Sequence, residues 1–265
     1  MQMMGEDFAG AAEHVDEAIA ALRRLPGAGA LDYYGDLVER AAEIRAWLER
    51  LAQDPADYHH GTYACDGLVA AQAWRLAFPQ FALTTFPEGT QRTAEGWEVK
   101  EPTFWFGPNH VPGNLDLHAP LIVLGDLEVG GLLDDGDVFE SHLAVSGDIR
   151  AGALASAADH LTLGNVSAAV VWCFNNDGML SVGGDITADL VVPDQHAWGC
   201  EGEVRAKAVG EDYCDWDRLA EQLGPWLPAE YIRPDVDEHI DPWRVLTEAA
   251  AGRSPVLDTP RPITP

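Results

Sequence analysis

Asp134-Asp135-Gly136-Asp137 places three carboxylates within four residues, and Asn175-Asn176-Asp177-Gly178 forms a second oxygen-rich turn. Acids so grouped can perform general acid–base work or hold a hard cation such as Ca²⁺. Neither segment has the spacing of a calcium loop, so both read as solvated turns. His59-His60 has no second His or Cys at ligand spacing and reads as a surface loop. The four cysteines, Cys65, Cys173, Cys200 and Cys214, form no CxxC pair, which argues against a structural zinc site or a disulfide framework. No GxSxG, HExxH, GxGxxG or Lys-containing phosphate loop occurs, and nothing sets a nucleophile beside its base. The expectation is a protein that is not an enzyme and that needs no cofactor or metal.

Charge is the more informative chemistry. The chain of 265 residues carries 44 Asp+Glu against 16 Lys+Arg, a net charge of −28. Such a chain should repel nucleic acid and anionic membranes and attract basic partners. Residues 101–200 hold 14 acids and a single base, Arg150. Acidity can serve solubility or a salty cytoplasm alone, but a deficit of bases confined to one segment favours a partner surface there.

The elements that must position these acids are repeats. LIVLGDLEVGGLL (121–133), LAVSGDIRAGALA (143–155), LTLGNVSAAVV (161–171), LSVGGDITADLVV (180–192) and GCEGEVRAKAV (199–209) align. Each is an alternating apolar strand, a Gly with an acidic or amide residue, and a second alternating strand. The corner glycines Gly125, Gly147, Gly164, Gly184 and Gly202 permit a sharp turn, and the neighbouring Asp or Asn can bond nearby backbone amides. Rungs of this kind stack about 4.8 Å apart as a parallel β-solenoid. Strands at this spacing would also suit an antiparallel sandwich, which leaves the recurrent Gly-Asp unexplained. Stacking places Asp126, Asp148, Asn165, Asp185 and Glu203 in one corner column. Each Asp alone is accounted for by turn geometry, whereas the column as a whole is a candidate cation-facing surface.

Flanking segments read as helices. Phe8, Ala11, Val15, Ile19, Leu22 and Leu25 form one stripe over 6–26, ended by Pro26-Gly27. A second helix is expected over 32–53, completing an antiparallel hairpin, and a third over 66–78. Residues 81–111 read as strands and loops that cap the stack, 112–209 as the solenoid, and 210–265 as two helices (216–227 and 238–251) and an extended Pro-rich tail. The fold class expected is α+β: a central right-handed parallel β-helix between an N-terminal helical hairpin and C-terminal capping helices. The acidic N-terminus lacks a secretory pattern and no stretch is long and apolar enough to span a membrane, so a cytoplasmic protein is expected.

The strand–Gly-Asp–strand units over about 112–208 resemble those of bactofilin-type polymer-forming β-helix proteins. They are more similar to the acidic Gly-Asp rung proteins that act as immunity factors beside polymorphic toxins. The second resemblance implies a bacterial binding protein, a monomer or small homo-oligomer, that neutralises a basic protein, a cognate toxin. Its contacts would be Asp126, Asp148, Asp185, Glu203, Asp134, Asp135 and Asp137, with Trp172 and Trp198 as aromatic anchors and Tyr213 and Trp216 as further candidates. A self-associating scaffold is the alternative, although long folded flanks would hinder end-to-end polymerisation. A third reading is a carbohydrate-active enzyme, since some parallel β-helix lyases and hydrolases use Asp groups on one face.

Overall fold

The computed structural model describes residues 5–54, 63–79, 85–136, 141–174, 178–211, 216–233 and 240–261, with the side chains of 5–7 and 216 left aside. Its centre is a parallel β-solenoid with three faces per turn. A short β1 (Thr90–Arg92) precedes it. The first turn comprises β2 (Gly96–Val99), β3 (Thr103–Phe106) and β4 (Asn109–Val111), and the second β5 (Asn114–Leu117), β6 (Leu121–Leu124) and the start of β7 (Leu127–Asp134). Later turns follow through β8 (His142–Val145), β9 (Ile149–Ser156), β10 (Asp159–Thr162), β11 (Val166–Ser167), β12 (Val170–Phe174), β13 (Met179–Val182) and β14 (Ile186–Thr187). They end with β15 (Leu190–Asp194), β16 (Ala197–Cys200), β17 (Val204–Arg205) and β18 (Ala208–Val209).

Parallel ladders define the faces. The second face is the six-stranded sheet β3-β6-β8-β10-β13-β16. The first runs from β2 and β5 through the ends of β7 and β9 to β12, β15 and β18, and the third from β4 through the starts of β7 and β9 to β11, β14 and β17. Parallel pairing therefore begins at Gly96, so the segment expected to cap the stack supplies its first full turn. Inside, Leu115, Leu121, Val123, Leu133, Leu143, Ile149, Leu154, Val171, Leu180 and Val191 fill the lumen. At the corner between second and third faces the glycines stack directly. A Cβ on Gly164 would lie 2.4 Å from the Gly147 carbonyl oxygen, closer than any side chain allows.

The expected helical flanks are present, but they lie along the sides of the stack rather than over its far end. α1 (Gly5–Ala12), α2 (Val15–Leu22), α3 (Leu37–Gln53) and α4 (Ala64–Ala77) form a layer on the second face, sharing a core with Phe104, Phe106, Ile122, Leu124, Ala144 and Leu161. The stripe over 6–26 is broken between Ala12 and Val15, and both pieces pack against α3 and α4. The second helix starts later than expected, because a 3-10 segment (Ala28–Tyr34) ends at Gly35 with φ 88° and Asp36 then caps α3 through the Val38 N–H. Gly27, at φ 72°, touches the stack so closely that a Cβ would sit 2.0 Å from the Leu163 carbonyl oxygen.

On the first face, α5 (Trp216–Leu223) and α6 (Pro242–Ala250) share a core with Ala153, Ala155, Val170, Trp172, Leu190 and Val192. The Pro-rich tail was expected to be unpacked; up to Arg261 it is not. Val256 is buried, and the Leu257 and Arg261 N–H groups donate to Trp226 and Pro225 carbonyls. Outward apolar residues on two faces explain the side-on arrangement: each such face needs a layer over it.

The N-terminal end of the stack is closed differently. β1 pairs antiparallel with β2, and Phe86 meets the Trp97 and Trp105 rings edge-on at 4.8 and 5.9 Å. Trp105 donates its indole N–H to the Glu88 carbonyl.

Candidate functional site

The corner column forms as the repeats require. Asp126 Oδ1 accepts the Asp148 backbone N–H (2.9 Å), Asp148 Oδ1 that of Asn165 (2.9 Å), Asn165 Oδ1 that of Asp185 (2.9 Å), and Asp185 Oδ1 that of Glu203 (2.8 Å). Each side chain thus pins the next rung rather than its own turn, leaving Oδ2 of each Asp outside that ladder. Asn165 also donates its amide N–H to Asp148 Oδ1 at 3.0 Å, which separates Asp148 from Asp185. The Glu203 N–H, and after it Arg205, holds the Asp185 carboxyl below the usual carboxylate range.

Beside this column lies the third face, whose outward residues His110, Glu128, Arg150, Ser167, Thr187 and Arg205 are exposed. Arg150 pairs with Asp148 at 3.1 Å, and Arg205 with Asp185 and Glu203. Lys207 bridges Asp189 and Asp258. The stack is therefore less bare than residues 101–200 imply, because Lys100, Arg205 and Lys207 sit at its two ends, just outside that window. The middle turns keep Arg150 alone.

The other expected contact residues do not join this surface. Asp135 is wholly buried in the lumen, where it cannot meet a partner. It accepts from Ser156 Oγ (2.7 Å), from the Ala157 and Ala158 N–H groups (2.8 and 3.0 Å), and lies 2.9 Å from His160 Nδ1; His160 Nε2 in turn lies 3.0 Å from Thr162 Oγ1. These residue types can relay a proton, but His160, Ser156 and Thr162 are fully buried too, so no substrate reaches them. Burial alone would raise the Asp135 pKa; the hydrogen bond and charge of His160, then Ser156 and the Ala158 N–H, bring it below the usual value.

Trp172 is likewise buried and is no surface anchor. It begins a ring stack, Trp172–Phe174 at 5.8 Å and Phe174–Trp243 at 5.4 Å, whose outermost ring, Trp243, is half exposed. Trp198 is half buried against the lumen of the last turn. Asp137, Tyr213, the His59-His60 pair and residues 175–177 lie outside the described residues, as does the Trp216 side chain.

Asp134 belongs to a second column that sequence reading missed. Register pairs Glu98 with Asp116 and Asp116 with Asp134, so three carboxylates stack on the outer side of the first face. They are separated by equal steps along the chain, and that spacing was the available signal. They sit within strands, where like charges directly opposite one another are destabilising. His118 Nε2 lies 3.2 Å from Asp116, Lys100 Nζ lies 2.8 Å from Glu98, and ligand atoms of Glu98, Asp116 and His118 fall within 4.8 Å of one another. A cavity of about 540 Å³ opens over this column, walled by Thr93, Glu95 and Trp97 on one side and Trp243 and Thr247 on the other. Burial, together with the charges of Asp135 and Asp116 and against the Gly136 N–H, pushes the Asp134 carboxyl up to about 6. Burial, with Glu98 and Glu95 adding and His118 opposing, also raises Asp116.

No family model, curated protein or solved structure matches the chain.

Proposed function

We propose that the protein is a non-enzymatic binder that neutralises a basic protein partner through the third face of the solenoid and its acidic corner, acting as an immunity protein for a bacterial toxin in the cytoplasm. One observation carries this reading: helical layers cover the first and second faces, while the third keeps exposed side chains along the stack beside Asp126, Asp148, Asp185 and Glu203. Glu128 and the corner acids Asp126, Asp148, Asp185 and Glu203 outnumber Arg150 and Arg205, and a surface of net negative charge speeds and orients docking of a cationic one. The resemblance to acidic Gly-Asp rung immunity proteins supplies the class of partner.

Closure of the N-terminal end by β1 and Phe86 weighs against the scaffold alternative, since head-to-tail stacking needs two open ends. The test mixes the protein with the basic product of a neighbouring gene at about 50 and about 500 mM NaCl. Replacement of Asp126, Asp148 and Asp185 by Asn retains each Oδ1 acceptor, as Asn165 does natively, and so spares the ladder. Binding should weaken at least tenfold at high salt and at least tenfold in the triple variant. Binding that ignores both salt and these substitutions would overturn the proposal.

A further inference from the structure

The cavity over Glu98, Asp116 and Asp134 lies on a different face from the proposed partner surface, and its construction differs from that of the corner. At the corner each Asp holds backbone of the next rung. Here Glu98 and Asp116 stand within strands, where no turn requires them, Asp134 ends β7 with its Oδ1 accepting the Gly136 N–H, and the three stack at the rung spacing of about 4.8 Å. Glu98 Oε2 is shielded from solvent and receives no well-aligned hydrogen bond, although Lys100 Nζ lies 2.8 Å away. Glu95 adds a fourth acid to the wall. Among the described residues these four carboxylates have Lys100 and His118 beside them, and Arg92 lies over the Trp97 ring at 5.8 Å.

The remaining side chains of the lining mix Trp97, Leu132 and Trp243 with the polar Thr93, Asn114 and Thr247. Trp243 is half exposed, yet its ring is held in place by stacking on Phe174 at 14° between planes. A fixed aromatic face beside stacked carboxylates is the combination that recognises an alkylammonium group, by cation–π attraction and by apolar contact with its methylenes.

We infer that this cavity is a binding site for a linear aliphatic polyamine, with the Glu98–Asp116–Asp134 column pairing successive ammonium groups and Trp243 covering the chain between them. The repeat of the column decides between a polyamine and a metal ion. A divalent ion would use Glu98, Asp116 and His118 at one point, leaving Asp134 and the Trp243 wall without a role. An extended polyamine spaces its charges along the carboxylate row and fills the length of the cavity.

The experiment is calorimetric titration of the full chain with spermidine at about 50 mM NaCl. Saturable one-to-one binding is expected, at least tenfold weaker in Asp134→Asn and in Trp243→Ala, and largely retained in Trp243→Phe. Asp148→Asn, in the corner column, should bind spermidine as the parent does, which separates this site from the partner surface. Thermal midpoints of the variants report whether each is folded, and Asp134→Asn preserves shape. Non-saturating heat that is indifferent to Trp243 and Asp134 would identify general counter-ion association and overturn the inference. So would saturable Mn²⁺ binding abolished by His118→Ala in a protein that does not bind spermidine.

Discussion

Among single residues, Asp135 bears the largest energetic consequence. Its carboxylate is surrounded by the lumen yet meets two backbone N–H groups, Ser156 and His160. Asp135→Ala would leave all of these without their acceptor inside an apolar core, a loss of about 3–5 kcal/mol by urea denaturation. Its folded pKa lies below the unfolded one, so the stability it contributes is present above the ordinary carboxylate range near 4 and disappears as pH falls through the lower folded value. Asp135→Asn should therefore flatten the acid side of the stability–pH curve. Sequence placed this residue in a solvated loop, because neighbouring acids in a Gly-containing segment look alike. Only the register distinguishes Asp134, at the outer end of a strand, from Asp135, one residue on and turned into the lumen.

At the level of elements, the rung is a three-sided unit whose corner depends on a glycine stack and on an Asx ladder. Asn165 interrupts that ladder's charge. Asn165→Asp keeps the Oδ1 acceptor, loses the N–H donated to Asp148, and makes the column five carboxylates in succession from Asp126 to Glu203. The expected cost is about 1–2 kcal/mol at low ionic strength, shrinking toward that of the lost hydrogen bond in about 0.5 M NaCl. Paired urea titrations at the two salt concentrations measure it. The helical layers also left a trace in the strands. Leu121–Leu124 and Val170–Cys173 are apolar without alternation, and both are buried throughout; Leu127–Gly130, on the open third face, alternates buried and exposed. Continuous apolar runs mark strands covered on both sides.

For the whole molecule, a net charge of −28 is spread over a body whose cations lie mostly in the helical flanks, with Lys100, Arg205 and Lys207 at the ends of the stack. Self-repulsion should dominate its response to salt: the thermal midpoint rises from about 10 to about 500 mM NaCl, as differential scanning calorimetry would record. A midpoint that falls over this range would show that ion pairs such as Arg40–Asp66, where the helical layer meets the stack, outweigh the repulsion.

Sequence alone determined the repeat, its parallel stacking, the corner column and the helical character of both flanks, because each rests on local periodicity or on Gly and Asx turn chemistry. The extra turn at Gly96–Val111 went unread because it carries no Gly-Asp pair. Where the helices lie, which carboxylates face solvent and which the lumen, and the alignment of Glu98, Asp116 and Asp134 beneath Trp243 were decided by the tertiary structure. Those features depend on register between turns of unequal length and on contacts between distant segments. A one-residue change of register exchanges the buried and exposed sides of a strand. Composition shows the acidity of the solenoid, whereas packing decides which acids hold the backbone together and which are left facing open space.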